Sequence, residues 1–478
     1  MTGVRGMRST LLGYMMKEEW RLHSRLFGGW GFAGFPVFIF AVASGAYLLL
    51  GYSGFATADL EVGLHYVVLF LGFSVGSIGF VSRDAVENLL GETHLLVFSS
   101  RTLPLSNRDL VSAFVVKDLV YYLLLYMLPL TLALLPASYY YADPTSSYAV
   151  LLTSVTASFM LGVSLSFFGA VVYVRSRPAA TAFGAAVAVV VAAAYVLGRW
   201  NVLVEFTPLG FYLDPGFTSL ALGVAPVGVL LVAGVLAFRP STASGVRSQG
   251  ARYASLTHLT SFDSSGLTAK MLLDTTRSSG GVLKVFLSVG MLFLVFVFLV
   301  LYVDVVGEVV SSPGIAFATL LAISSVSVYH WLNRFDGVSD YTMLPLDVTD
   351  VIAAKARAEL MLSLPASYVY LALGGALFGF GEMWLGAVVL PLLTLYFYGV
   401  TVYFTGLEPN ELLLNSWLFG LFTVCVAVVA VPLFVASIAY VEYPLEITAF
   451  VLTWSVVTGG IGYLAYRRSK PRWLRRLG

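Results

Sequence analysis

LPLSNRDLV, Leu103–Val111, is a short polar knuckle between two long apolar stretches, and a second version, LPLDVTDVI, stands at Leu344–Ile352. Aligned without gaps, Leu103, Pro104 and Leu105 match Leu344, Pro345 and Leu346, and Asp109 matches Asp350. The match runs on through Ala113 and Ala354, Asp118 and Glu359, and Leu119 and Leu360. Each proline stops a preceding helix, because the residue before a proline avoids helical geometry. SNRD and DVTD then supply polar side chains suited to capping the next helix, whose positive end favours Asp109 or Asp350. The knuckle is a turn and a helix start, used twice.

What flanks it sets the class. Hydrophobic residues make up 59% of the chain and charged residues 11%, against about 45–50% and about 25% in soluble domains. No globular core absorbs that much apolar surface at this length, so lipid must solvate much of it. Many segments reach the ~20 apolar residues that a helix needs to cross a bilayer. The ~10-residue alternating strands of a membrane barrel do not occur. The reading is all-α: a polytopic helical membrane protein of about 12 transmembrane helices.

The spans fall at about 31–51, 62–82, 111–135, 148–174, 179–198 and 217–238, then 282–303, 314–331, 351–379, 383–404, 416–437 and 445–466. Both knuckles lie between the second and third span of their half. A second echo precedes each last span: Val204–Leu209, VEFTPL, and Val441–Leu445, VEYPL. Six spans per half is an even number, so the halves share one orientation and form a parallel repeat. The domains are 1–240, a first six-span half; 241–281, a Ser-, Gly- and Arg-rich cytoplasmic linker; and 282–478, a second six-span half with a basic tail. Most of the 27 Lys and Arg residues fall inside if both termini are cytoplasmic, as the positive-inside rule requires. Asp59, Glu61, Asp143, Asp304, Glu308 and Glu382 fall in the opposite loops. The expected location is the plasma membrane.

Two amphipathic segments precede the halves: Met7–Phe27 before the first span, and Ser264–Gly281 before the seventh. Between spans two and three, SRDAVENLLGETHLLVFSSR mixes Glu87 and Glu92 with leucines, which suits a short helix with a face for a partner's groove. Ionisable residues also enter the membrane, at a cost of several kcal/mol unless paired, hydrated or snorkelling (~3 kcal/mol at a helix centre). Lys355 and Glu359 are spaced to pair on one helix face. Lys117 and Asp118 are adjacent and are expected not to meet. Asp118 and Glu359, equivalent in the repeat, are candidates for a gate, with Lys117 and Lys355 beside them.

The order of an amphipathic helix, two spans, a charged loop ending in LPLSNRDL and four more spans resembles the permeases of type-two ABC exporters. The resemblance covers nearly the whole chain as architecture and about twenty residues as motif. It implies that the loop is a coupling helix held by a cytoplasmic ABC ATPase, through Glu87, Gly91, Glu92, Leu103, Pro104, Leu105, Arg108 and Asp109. Leu344, Pro345, Leu346 and Asp350 would serve in the second half, whose loop lacks a counterpart of Gly91–Glu92. It also implies a re-entrant outer segment before each last span, at Glu205 and Pro208 and at Glu442 and Pro444. Family permeases usually carry six spans and pair; here both halves are fused, and a second copy of the chain is a further possible partner.

The sequence has no GxxxxGK[ST] phosphate loop. ATP would therefore be bound and hydrolysed on a separate subunit, with no cofactor on this chain. HExxH is absent, and the five histidines are scattered, each expected at an interface or in a loop. Cys425, the single cysteine, reads as packing. No basic-aromatic platform suggests nucleic acid. The alternative function is a twelve-span secondary transporter driven by an ion gradient. The expected cargo classes are lipids, hydrophobic drugs or glycans.

Overall fold

A computed structural model describes residues 12–17, 20–21, 34–52, 55–81, 107–141, 147–237, 250–263, 265–278, 281–302, 312–333, 347–408 and 416–477. No strand occurs among them. The chain divides into two units, Met1–Gly245 and Val246–Gly478. The division places the whole second amphipathic region with the second half.

In the first unit α1 is Gly34–Tyr52 and α2 is Thr57–Val81. The third span, α3, runs Asn107–Tyr122, passes a π-helical turn at Leu123–Met127, and continues as Leu128–Leu132 and Leu134–Tyr140. Proline explains the break. Pro129 has no N–H and its ring crowds the turn before it, and the chain answers with a widened turn in which the Leu128 N–H donates to Leu123 O. Then come α4, Tyr148–Arg175, and α5, Arg177–Val196. Two one-turn helices, α6 (Trp200–Glu205) and α7 (Pro208–Leu213), lead into α8, Phe217–Ala237.

The second unit opens with α9, Gly250–Leu259, and α10, Leu267–Arg277. Its spans are α11 (Gly281–Tyr302), α12 (Pro313–Leu332), α13 (Val348–Phe378), α14 (Trp384–Thr405), α15 (Ser416–Ala439) and α16 (Pro444–Leu477). Eleven of the described helices are long and apolar enough to cross a bilayer. The twelfth segment, α5, carries a shorter apolar stretch, Pro178–Ala194, at the lower limit of about 17 residues.

Each unit is built around its fourth span. Along α4, Leu151, Val155, Phe159, Val163, Phe167 and Val171 are buried at four-residue intervals, a stripe on one helix face. Lipid is as apolar as leucine, so such helices associate by close packing over small residues. Gly72 and Gly76 of α2 show this: a Cβ on Gly72 would strike the Phe159 carbonyl, and one on Gly76 the Val163 carbonyl. In the second unit a Cβ on Gly386 of α14 would strike Gly314 O of α12, and one on Gly399 would strike Gly462 O of α16.

The basic tail is not a separate extension. Helix α16 continues through it to Leu477, and Trp473 is buried against Gly406, whose φ of +53° admits the tight turn there. Arg472 stacks over the Tyr403 ring at 4.6 Å, and Lys470 over Tyr466 at 5.3 Å.

The second amphipathic segment, expected at Ser264–Gly281, contains a helix, α10. Within Arg239–Gly281, α10 is a packed helix: Leu267, Ala269, Met271, Leu272 and Leu273 are all buried. It lies against α11, α12 and α13. Its polar side holds a Lys270–Asp274 ion pair at 2.9 Å, spaced i, i+4. The apolar residues there are few, but helical spacing gathers them on the packed side.

Candidate functional site

The coupling residues divide between described and undescribed parts. Glu87, Gly91, Glu92, Leu103, Pro104 and Leu105, and likewise Leu344, Pro345 and Leu346, lie outside the described residues. Arg108 and Asp109 occupy the first turn of α3. In the second unit the capping is visible: the Asp347 side chain accepts from the Thr349 N–H at 3.0 Å, and Asp350 is exposed in the first turn of α13. The second unit's third span therefore starts directly after the LPL sequence, and the first unit's is described from Asn107 on.

Glu205 is exposed at the end of α6, and Pro208 is buried at the first position of α7. The second unit has no short helices at the corresponding place. It turns once through Glu442 and enters α16 at Pro444, with both residues exposed.

Charges on the third spans are handled differently from expectation. Lys117 Nζ reaches Asp118 Oδ1 at 3.2 Å, with the lysine buried and the aspartate half-exposed. Adjacent positions point about 100° apart on a helix, but the four-carbon lysine stem curls far enough to close that angle. Lys355 does not pair with Glu359. Its ammonium donates to Asn333 Oδ1 at 2.9 Å and to Leu332 O at 3.3 Å, at the end of α12. Tertiary acceptors outcompete the i, i+4 carboxylate.

Arg357 has a partner that sequence reasoning missed. Its Nη1 lies 3.1 Å from Asp263 Oδ1, in the turn before α10. Asp263 also accepts from Ser265 Oγ at 2.6 Å, Ser265 N at 3.2 Å and Thr268 N at 2.8 Å. Burial alone would raise the Asp263 pKa, but the donors from Ser265 and Thr268 outweigh it and hold the carboxyl well below the usual carboxylate range. The positive-φ Gly266 makes the turn possible. The pairing fastens α10 to α13.

Glu359 is left fully buried, about 17 Å along α13 from Val348. Neither carboxylate oxygen makes a hydrogen bond of good geometry. The hydroxyls of Ser363, one turn on, and Ser325 of α12 lie alongside.

A second buried acid sits in the first unit, where α2 and α4 begin. Glu61 was expected in a loop; it lies in α2 and is buried. The Tyr212 hydroxyl of α7 donates to its Oε2. His65, one turn on, is 2% exposed, against the expectation of an interfacial histidine. Its Nδ1 lies 2.7 Å from Glu61 O and its Nε2 2.8 Å from Ser154 Oγ of α4. A carbonyl only accepts, so Nδ1 carries the proton; the Ser154 hydroxyl beside Nε2 also lies 3.0 Å from Leu151 O. The i, i+4 spacing of Glu61 and His65 was the available signal.

The chain matches no family model, no curated protein and no solved structure. Among the described residues no group of three or more His, Cys, Asp or Glu could hold a metal ion.

Proposed function

We propose that this chain is the transmembrane permease of an ATP-driven exporter, worked by separate cytoplasmic ABC ATPase subunits. The observation that carries the reading is the doubled start of the third span. In each half a long third-span helix follows an LPL segment in sequence: it is described from Asn107 in the first half and starts at Val348, behind the Asp347 cap, in the second. Supporting it, each half has six spans in the same order, basic residues concentrate in the loops assigned to the inside, and the sequence has no phosphate loop of its own. The polar segments after the second spans would be the handles on which the ATPases act, through Glu87, Gly91, Glu92 and Asp109 and through Asp350. Movement would pass along α3 and α13 to the intramembrane charges. Both termini would face the cytoplasm of a plasma-membrane protein, and the cargo would be a lipid, a hydrophobic drug or a glycan.

The test is copurification. The purified chain should retain a nucleotide-hydrolysing partner, and Glu92→Ala with Asp109→Ala should release it. Retention by that double variant would remove the handle assignment. A secondary transporter is the second reading, favoured by one observation: the buried, unpaired Glu359 within a span.

A further inference from the structure

We infer that Glu359, with the hydroxyls of Ser325 and Ser363, forms a site for one exchangeable monovalent cation inside the second unit. The inference does not rest on the ATPase reading, since it concerns a species taken up by this chain alone.

The carboxylate is fully buried with both oxygens unsatisfied. Leaving a buried charge uncompensated is strongly unfavourable. Among the described residues no side chain supplies the balancing charge. Lys355, one turn away on the same helix, is directed to Asn333 Oδ1 and Leu332 O. Arg357 is held by Asp263.

The neighbouring hydroxyls sharpen the point. Ser325 Oγ donates its one proton to Ala322 O at 2.7 Å, so it turns lone pairs toward the carboxylate. Ser363 Oγ is buried and makes no hydrogen bond of its own. Tyr398 of α14 donates to Ile352 O, with Tyr329 of α12 and Tyr466 of α16 behind it. The Ser363 hydroxyl can turn its proton toward these acceptors but brings no positive charge. An oxygen-only set suits a hard cation, and divalent ions of that kind favour several carboxylates or retained waters. One carboxylate balances one positive charge. Sodium and the proton share that chemistry.

The test uses the full chain in detergent, with thermal unfolding followed in two series. One exchanges choline for Na+ at fixed pH and ionic strength; the other lowers the pH without Na+. A ligand that binds only the folded state raises the midpoint by mass action. The inference expects a rise of several degrees in at least one series, with Glu359→Gln flat in both. A response to Na+ alone identifies sodium, and a response to acid alone identifies the proton. Ser363→Ala, which keeps the acid, should need roughly tenfold more of the same ion to reach the same shift, and it serves if Glu359→Gln does not accumulate. A wild-type protein that responds to neither series overturns the site. So does a Glu359→Gln or Ser363→Ala protein that responds as the wild type does.

Discussion

The two units carry the same plan and treat their buried acids in opposite ways. In the first, Glu61 sits near the start of α2, where Tyr212 donates to it and His65 lies one turn away. In the second, Glu359 sits deep in α13 with Ser325 and Ser363 alongside and no properly made hydrogen bond. The third spans differ too. Helix α3 breaks at Leu123–Met127 and places its cation against the adjacent aspartate. Helix α13 runs unbroken through Pro365 and fastens both its cations to neighbouring elements. A repeat therefore conserves where helices start and which pack centrally, while leaving the polar chemistry free to diverge.

The shared part of the plan should be the hardest to alter. Gly162→Leu in α4 and Gly462→Leu in α16 would each drive a side chain into a facing backbone, at Leu69 O and at Leu395–Tyr396. Each should cost about 3 kcal/mol or more, read as loss of folded protein in detergent by size-exclusion chromatography. A normal yield from either would break the idea that both units rest on close packing around the fourth span.

The divergent part gives effects of opposite sign. Tyr212→Phe removes a donor from a buried carboxylate and should lower stability by about 1.5–3 kcal/mol. Glu359→Gln removes an uncompensated charge and should leave the thermal midpoint unchanged or raised in cation-free buffer. Equal losses from the two substitutions would erase the contrast.

Smaller effects belong to the Asp263 turn. Asp263→Asn should weaken the hold of α10 on α13 by about 1 kcal/mol, since Arg357 is a third exposed and its attraction is screened. The sign with pH follows from the depressed carboxyl. Its stabilisation is present above the ordinary carboxylate value of about 4 and is lost as pH falls toward the lower folded value. Asp263→Asn should flatten that part of the acid-unfolding profile. The smallest change is expected from Asp118→Asn, which loosens a partly exposed neighbour pair worth about 0–1 kcal/mol. Comparing it with Asp263→Asn in the same thermal melts ranks the two units' ion pairs.

The spans were legible because length and hydropathy decide them, and every one of the twelve expected segments is a helix within a few residues, apart from the longer α16. The caps were legible for the same local reason, as Asp347 shows. What escaped was tertiary. Glu61 looked like a loop residue because a charge near an apolar run usually marks its edge; Tyr212, 151 positions away, donates to it in the folded chain. Lys355 and Glu359 matched a helical pairing rule, yet Asn333 supplied a better acceptor. The segment before α11 was legible as amphipathic, but its packing partners and the Asp263–Arg357 pair that secures its turn were not.

The central claim is that a separate nucleotide-hydrolysing subunit grips the two polar segments that precede the third spans. The most direct measurement places a photo-reactive amino acid at position 92, and separately at position 350, in the intact membrane. The account predicts covalent capture of the same ATP-binding protein from both positions, weaker from 350, and loss of its ATP-hydrolysis stimulation in the Glu92→Ala variant. Capture of no such protein from either position, or labelling of both by a reagent confined to the cell exterior, would contradict it.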